Sequence, residues 1–227
     1  MQPVAKALLG CLLLLMSPLA GCTAAPVKES FNDAETLVEI EDPCMLATQS
    51  SLQSLVSIQV DGEDRFFRLS VPSSTPGTKL PIVLAFHGGG DAEEDFPQQN
   101  QFDQLGETEK FIMVYVIADS DRTAAEGDWY LNSAATSRED NDFSEQIVDE
   151  LAQVFCIDED RLYATGYSLG SMFTYEIACQ LNQRFAAVAS FAGTMPVSPE
   201  SCDLLGRMAV LHIHGKLDYI IDYDEDW

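Results

Sequence analysis

Positive charge is scarce in this chain of 227 residues. Twelve Lys and Arg stand against 37 Asp and Glu, a formal net charge of −25. Phosphate binding needs a clustered basic face, so nucleic-acid partners are excluded, and so is docking on anionic lipid through surface charge. The acidity reads as a solubilising surface. Histidine is rarer still, with three in the chain, and neither a C-x-x-C nor an H-x-x-x-H spacing occurs, so no metal is expected. The acidic run Asp222, Asp224, Glu225, Asp226 lacks the turn glycine of a calcium loop and reads as a solvated tail. No apolar run is long enough for a membrane helix, and no internal repeat or low-complexity tract is present. What is there suffices for one core: 46% of the residues are hydrophobic.

The first residues read as an address. Lys6 gives a short positive start, Ala7 to Met16 is an apolar run, and Leu19-Ala20-Gly21-Cys22 follows. That ending resembles the lipobox of a bacterial lipoprotein signal, which implies cleavage before Cys22 and acylation there. A plain signal peptide with Cys22 incidental is the alternative. Several acyl chains anchor stably, at about 0.8 kcal/mol per buried CH₂. The expected organisation is a signal at 1–21, an acidic flexible tether at 22–43 and one domain at 44–227, exported and attached to a membrane only through lipid. Cys44, Cys156, Cys179 and Cys202 then remain, an even number in an exported chain, so disulfides are expected. Three connectivities are possible, and Cys156–Cys179 is the expected pair, because both residues fall on neighbouring helices in the pattern below.

Val56 to Val60 and Phe66 to Val71 alternate around Asp61-Gly62, the signature of a β-hairpin with one wet face. From Pro81 onward the pattern changes. Ile82 to Phe86, Phe111 to Ile117, Ala186 to Phe191 and Met208 to Leu211 are short unbroken apolar runs, as expected of parallel strands buried on both faces. Between them Phe143, Ile147, Val148, Leu151, Val154 and Phe155 share a helical face, as do Met172, Tyr175, Ile177 and Leu181 more loosely. Strand and helix alternating means an α/β fold with a mostly parallel sheet and right-handed crossovers.

Gly166-Tyr167-Ser168-Leu169-Gly170 stands where the strand Leu162 to Thr165 gives way to a helix. A nucleophile elbow needs that context, because its turn tolerates only small flanking residues and lifts the serine hydroxyl above the sheet. The helix N-terminus favours developing negative charge. His87-Gly88-Gly89-Gly90 follows the strand ending at Phe86. Such a glycine run lets the Gly88 and Gly89 amides face a substrate carbonyl, with the Leu169 N–H as a further oxyanion donor. His87 itself reads as a brace for the loop. After Met208 to Leu211 comes His212-Ile213-His214-Gly215-Lys216-Leu217-Asp218. Asp218 lies at the end of a later strand, where the triad acid belongs, and it would hold and stabilise an imidazole.

G-Y-S-L-G-S, H-G-G-G and H-G-x-x-D together resemble the extracellular α/β-hydrolase esterases that include polyhydroxybutyrate depolymerases and feruloyl or acetylxylan esterases. Cys156 to Gly166, Phe185 to Ala189 with Ala192-Gly193, Trp129 and the stretch Asp140 to Phe143 are similar as well. The resemblance covers about residues 50–222. It implies a carboxylic ester hydrolase in which Ser168 attacks, an acyl-enzyme forms and water releases the acid, with no cofactor. In such enzymes the base histidine follows the acid, beyond one more strand. Only nine residues follow Asp218 and none is histidine, so the last strand and helix are expected to be missing as well. His212 and His214 precede the acid and fit poorly as substitutes. The chain as given is therefore expected to be nearly inactive, either a fragment or the product of a shortened gene. A non-catalytic surface lipoprotein that keeps the fold as a binding module is the alternative. Trp129 and Tyr130 could form an aromatic platform for substrate or pack in the interior.

Overall fold

The computed structural model describes residues 42–90, 95–119, 129–196, 202 and 205–223. The expected signal sequence, the Cys22 lipidation site, nearly all of the tether and the last acidic residues lie outside them. Two antiparallel strands, β1 (Ser51–Val60) and β2 (Glu63–Val71), open the fold. Asp61 and Gly62 between them both have positive φ, at 52° and 91°, as a two-residue hairpin turn with matching twist demands. Then follow β3 (Leu80–Phe86), α1 (Phe102–Glu109), β4 (Ile112–Val116), α2 (Glu139–Val154), β5 (Ile157–Tyr167), α3 (Leu169–Gln180), β6 (Ala187–Phe191) and β7 (Ala209–Ile213). They form one sheet of order β1-β2-β4-β3-β5-β6-β7, parallel from β4 through β7. This is the α/β-hydrolase architecture, a mostly parallel sheet flanked by helices.

Alternation along the central strands sorts side chains onto two faces. Leu80, Ile82, Leu84 and Phe86 of β3 join Ile112, Val114 and Val116 of β4 in the larger core, beneath Phe143, Ile147 and Leu151 of α2 and Phe173 and Ile177 of α3. Ala85, Met113 and Tyr115 face the other way, against Phe96 and Phe102. The first turn of α2 carries Glu139, Asp140 and Asp142, whose negative charge suits a helix N-terminus.

β7 departs from the expected double burial of the Met208 to Leu211 run. All of its residues are exposed, because among the described residues β7 has only β6 beside it. Leu211 and Ile213 join Tyr163, Tyr167 and Phe191 along an open apolar groove of about 780 Å³ on the face that carries α1.

All four domain cysteines are oxidised, but not in the expected pairing. Cys44 joins Cys156 and Cys179 joins Cys202. Cys156 is not helical. It lies just past the end of α2, at the entry to β5, where its carbonyl accepts from Leu80 N–H, and the short 3-10 turn Pro43–Met45 brings Cys44 beside it. The Cys44–Cys156 bond closes a separation of 112 residues. In the chain-entropy view such a link stabilises by about 4–5 kcal/mol.

Asn141 is fully buried at the start of α2, and both atoms of its amide lack a hydrogen-bond partner. An orphaned buried amide costs about 1–3 kcal/mol. Asn141→Leu is therefore expected to stabilise the fold by about 1 kcal/mol, read as a higher urea midpoint at unchanged slope. A lower midpoint would show that the amide has a use the apolar side chain cannot supply.

Candidate active site

β5 ends at Tyr167 and α3 begins at Leu169, so a single residue makes the turn. That residue is Ser168, with φ 52° and ψ −121°. A non-glycine residue there is strained, by about 1–3 kcal/mol, and persists only where its surroundings over-determine it. The flanking glycines do so. A Cβ on Gly166 would lie 2.2 Å from the Gly170 carbonyl oxygen, and one on Gly170 would lie 2.2 Å from Phe86 O and 2.3 Å from His87 O. Gly193 is equally tight, since a Cβ there would lie 2.5 Å from Ser171 Oγ and 2.8 Å from Ser168 O. Ser168 N–H donates to Phe191 O at 3.0 Å, tying the elbow to the end of β6.

The glycine loop is the neighbour of this turn. Phe86 at the end of β3 pairs in register with Gly166, and the first turn of α3 packs on the carbonyls of Phe86 and His87. Gly88, Gly89, Ser168 and Leu169 thus gather at the carboxyl ends of β3 and β5. His87 is buried and fully engaged: Nδ1 contacts Gly88 O at 2.8 Å and Nε2 accepts from Ala118 N–H at 3.2 Å.

Asp218 lies on the same edge of the sheet, in the turn after β7, two strands from the elbow. Its Oδ1 accepts from the backbone N–H groups of Ile221 and Ile220, which hold its carboxyl below the ordinary carboxylate range. Oδ2 lies 3.5 Å from His214 Nε2, which also contacts Ile221 O at 2.8 Å. His212 Nδ1 meets the Tyr175 hydroxyl at 2.7 Å, and partial desolvation, with the His214 ring stacked beside it, lowers its pKa. Among the described residues no histidine and no carboxylate is hydrogen-bonded to Ser168. No group of residues among them could hold a metal ion, and no helix is long and apolar enough to cross a membrane.

The roles of the other contributors were not visible as pattern. Trp129 is buried, stacked on Phe173 and edge-on to Phe86, so it is interior and no platform for substrate. Its indole N–H donates to His87 O at 2.9 Å. Glu176, wholly buried on α3, accepts from the N–H groups of Asn132 and Ser133 and from the Ser133 hydroxyl. Asp140 pairs with buried Arg65 at 2.9 Å and accepts from Tyr130 N–H at 2.7 Å. The resemblance had marked Trp129 and Asp140, but nothing had marked Glu176, although a carboxylate in the middle of an apolar helix is itself a signal.

The chain has relatives among known proteins. The chain is 28% identical to "Putative esterase NocK" of Nocardia uniformis subsp. tsuyamanensis, over 88% of this chain and 58% of that protein. It is 29% identical to "Poly(3-hydroxyalkanoate) depolymerase C" of Paucimonas lemoignei, over 66% of this chain and 37% of that one. The chain thus spans little more than half of the first relative and about a third of the second. Among solved structures, "Putative Dienelactone Hydrolase" of Klebsiella pneumoniae subsp. pneumoniae MGH 78578 superposes with a TM-score of 0.56 at 19% identity, over 78% of this chain and 77% of that one, a likeness of fold. Residues 59–215 match the model of the family described as "Putative esterase", and the chain belongs to that family.

Proposed function

We propose that this protein hydrolyses carboxylic esters through a serine acyl-enzyme at Ser168. The observation that carries this reading is the backbone of Ser168, held at φ 52° between two glycines that admit no side chain. A residue held in strain by rigid neighbours is what an exposed, pre-aimed nucleophile requires. The Ser168 hydroxyl adds to the ester carbonyl, and its proton passes to a base. The oxyanion forms against the Leu169 amide and those of Gly88 and Gly89, each donor contributing about 3–4 kcal/mol in comparable sites. Collapse expels the alcohol with that proton, and water then releases the acid and regenerates Ser168. Asp218 is the acid that orients the base.

The base is the weak point of the 227-residue chain. Its three imidazoles are engaged elsewhere: His87 within the glycine loop, His212 with Tyr175, His214 with Ile221. An unassisted serine is a poor nucleophile at neutral pH, so these 227 residues alone are nearly inactive. The same observation favours a second reading, a surface lipoprotein that keeps the hydrolase fold as a binding module. The substrate class is a polyester or an ester on a plant polysaccharide, a reading supported by the depolymerase relative and by the sequence resemblance. Export is supported by the two disulfides, which persist in oxidising compartments, and lipid at Cys22 would fix the protein to a membrane.

A fluorophosphonate probe separates the two readings. Prolonged exposure followed by peptide mapping is expected to place the adduct on Ser168. Absence of any adduct there, in the longest chain that the gene encodes, would favour the binding module.

A further inference from the structure

Among the described residues, two hydrogen bonds stand out at the start of the glycine loop, and neither involves a residue of the expected triad. The Trp129 indole N–H donates to His87 O, and the His87 ring contacts Gly88 O through Nδ1. A trans peptide is planar, with its carbonyl and the next N–H pointing in opposite directions. Pinning the His87 carbonyl toward buried Trp129 therefore turns the following amide away from the core. Pinning the Gly88 carbonyl fixes the amide after that in the same manner.

Trp129 is itself held. Of the four residues that follow it, Tyr130, Asn132 and Ser133 are clamped from two sides. Asp140, buried and paired with Arg65, accepts from Tyr130 N–H. Glu176 accepts three hydrogen bonds from Asn132 and Ser133, and Asn132 has the positive φ of 55° that such a tight turn needs. Asp140 and Glu176 are both at least 99% buried. Burying carboxylates is costly unless each is fully hydrogen-bonded, so two of them spent on one short segment require that segment to stand in one place. Glu176 lies two turns along α3 from Ser168, so the helix that carries the nucleophile also carries the clamp.

We propose that Trp129 is a positioning residue for the oxyanion site: its indole N–H, anchored through Glu176 and Asp140, sets the direction in which the glycine loop presents its amides to Ser168. The inference rests on the ester-hydrolase reading for its catalytic consequence, but the orientation of the loop can be tested without it. A displaced donor weakens the transition state more than the bound ester, so the loss falls on kcat while KM is spared.

The test is Trp129→Phe in the longest chain that the gene encodes, which keeps an aromatic ring on Phe173 and removes the N–H, with Glu176→Gln as a second variant should the first fold poorly. Three quantities are read: the melting temperature, amide exchange in the peptide covering 86–90, and Ser168-dependent turnover of p-nitrophenyl acetate. Trp129→Phe is expected to melt within about 5 °C of the parent. Exchange at 86–90 should be about tenfold faster or more, and kcat should fall about tenfold with KM within about twofold. Glu176→Gln should do the same to a smaller degree. Unchanged exchange at 86–90 in both variants overturns the proposal whatever the turnover shows, and so does faster exchange with unchanged kcat. If the parent shows no Ser168-dependent turnover, the hydrolase reading fails by itself, and the exchange result alone decides whether Trp129 sets the loop.

Discussion

Ser168→Ala is expected to lower kcat for a short p-nitrophenyl ester by about 10⁴–10⁶, measured in the longest chain that the gene encodes. The size follows from how the parts cooperate. In a serine hydrolase the nucleophile, its base and the acid act as one unit, and removal of the nucleophile costs about as much as removal of all three. What survives is the contribution of the oxyanion donors and of substrate binding, about 10³–10⁴ over water. The alanine should fold normally, because Ser168 contributes its backbone to the elbow and only its hydroxyl is lost. The alanine keeps the strained φ of 52°, which its Cβ suffers no more than that of serine. The melting temperature should therefore stay within a few degrees while turnover vanishes. In the 227-residue chain the same substitution should produce a far smaller drop, because the imidazoles present there are already committed to Ile221, Tyr175 and the glycine loop. A tenfold loss or less in the longest encoded chain would take the chemistry away from Ser168.

The parts of this fold that were legible in the sequence are those dictated by local chemistry. Asp61-Gly62 between alternating strands can hardly be other than a primed turn, and both residues have the positive φ it requires. The unbroken apolar runs of β3 and β4 are buried on both faces as they read. The tight elbow follows from two glycines and a serine between a strand and a helix. α1 was missed because it is one short helix with Gly106 inside it, and glycine lowers helical propensity. The glycine answers to the turn that ends the helix, where a Cβ at Gly106 would stand 3.1 Å from Phe111 O. The disulfide pairing was missed because it depends on where a short turn, Pro43–Met45, lands against a residue 112 positions later. No periodicity encodes such a distance. The clamp on Trp129 was hidden for the same reason, since Glu176 acts on residues 43 and 44 positions away.

Gly170→Ala is expected to cost the protein its fold. The added methyl would stand 2.2 Å from Phe86 O, 2.3 Å from His87 O and 2.5 Å from the Phe86 carbonyl carbon, where ordinary contact begins near 3.4 Å. All three are backbone atoms, so no rotamer change relieves them. Phe86 cannot retreat, because it closes β3, which is paired on one side with β4 and on the other with β5. The first turn of α3 would have to rise by about 1 Å, dragging Phe173 and Ile177 out of the core in which both are fully buried. Loss of that packing together with the residual clash places the cost above about 4 kcal/mol, enough to unfold a domain of ordinary stability. Gly166→Ala meets a clash as close, 2.2 Å from the Gly170 carbonyl oxygen, and should behave alike. Gly206→Ala is the control, because no described residue lies within 4 Å of its Cβ position, and it should change stability by no more than about 0.5 kcal/mol. Soluble yield and the urea midpoint of the three variants are the measurements. If Gly170→Ala unfolds at the parent's midpoint, α3 can shift without cost, and the elbow is not the rigid frame that aims Ser168.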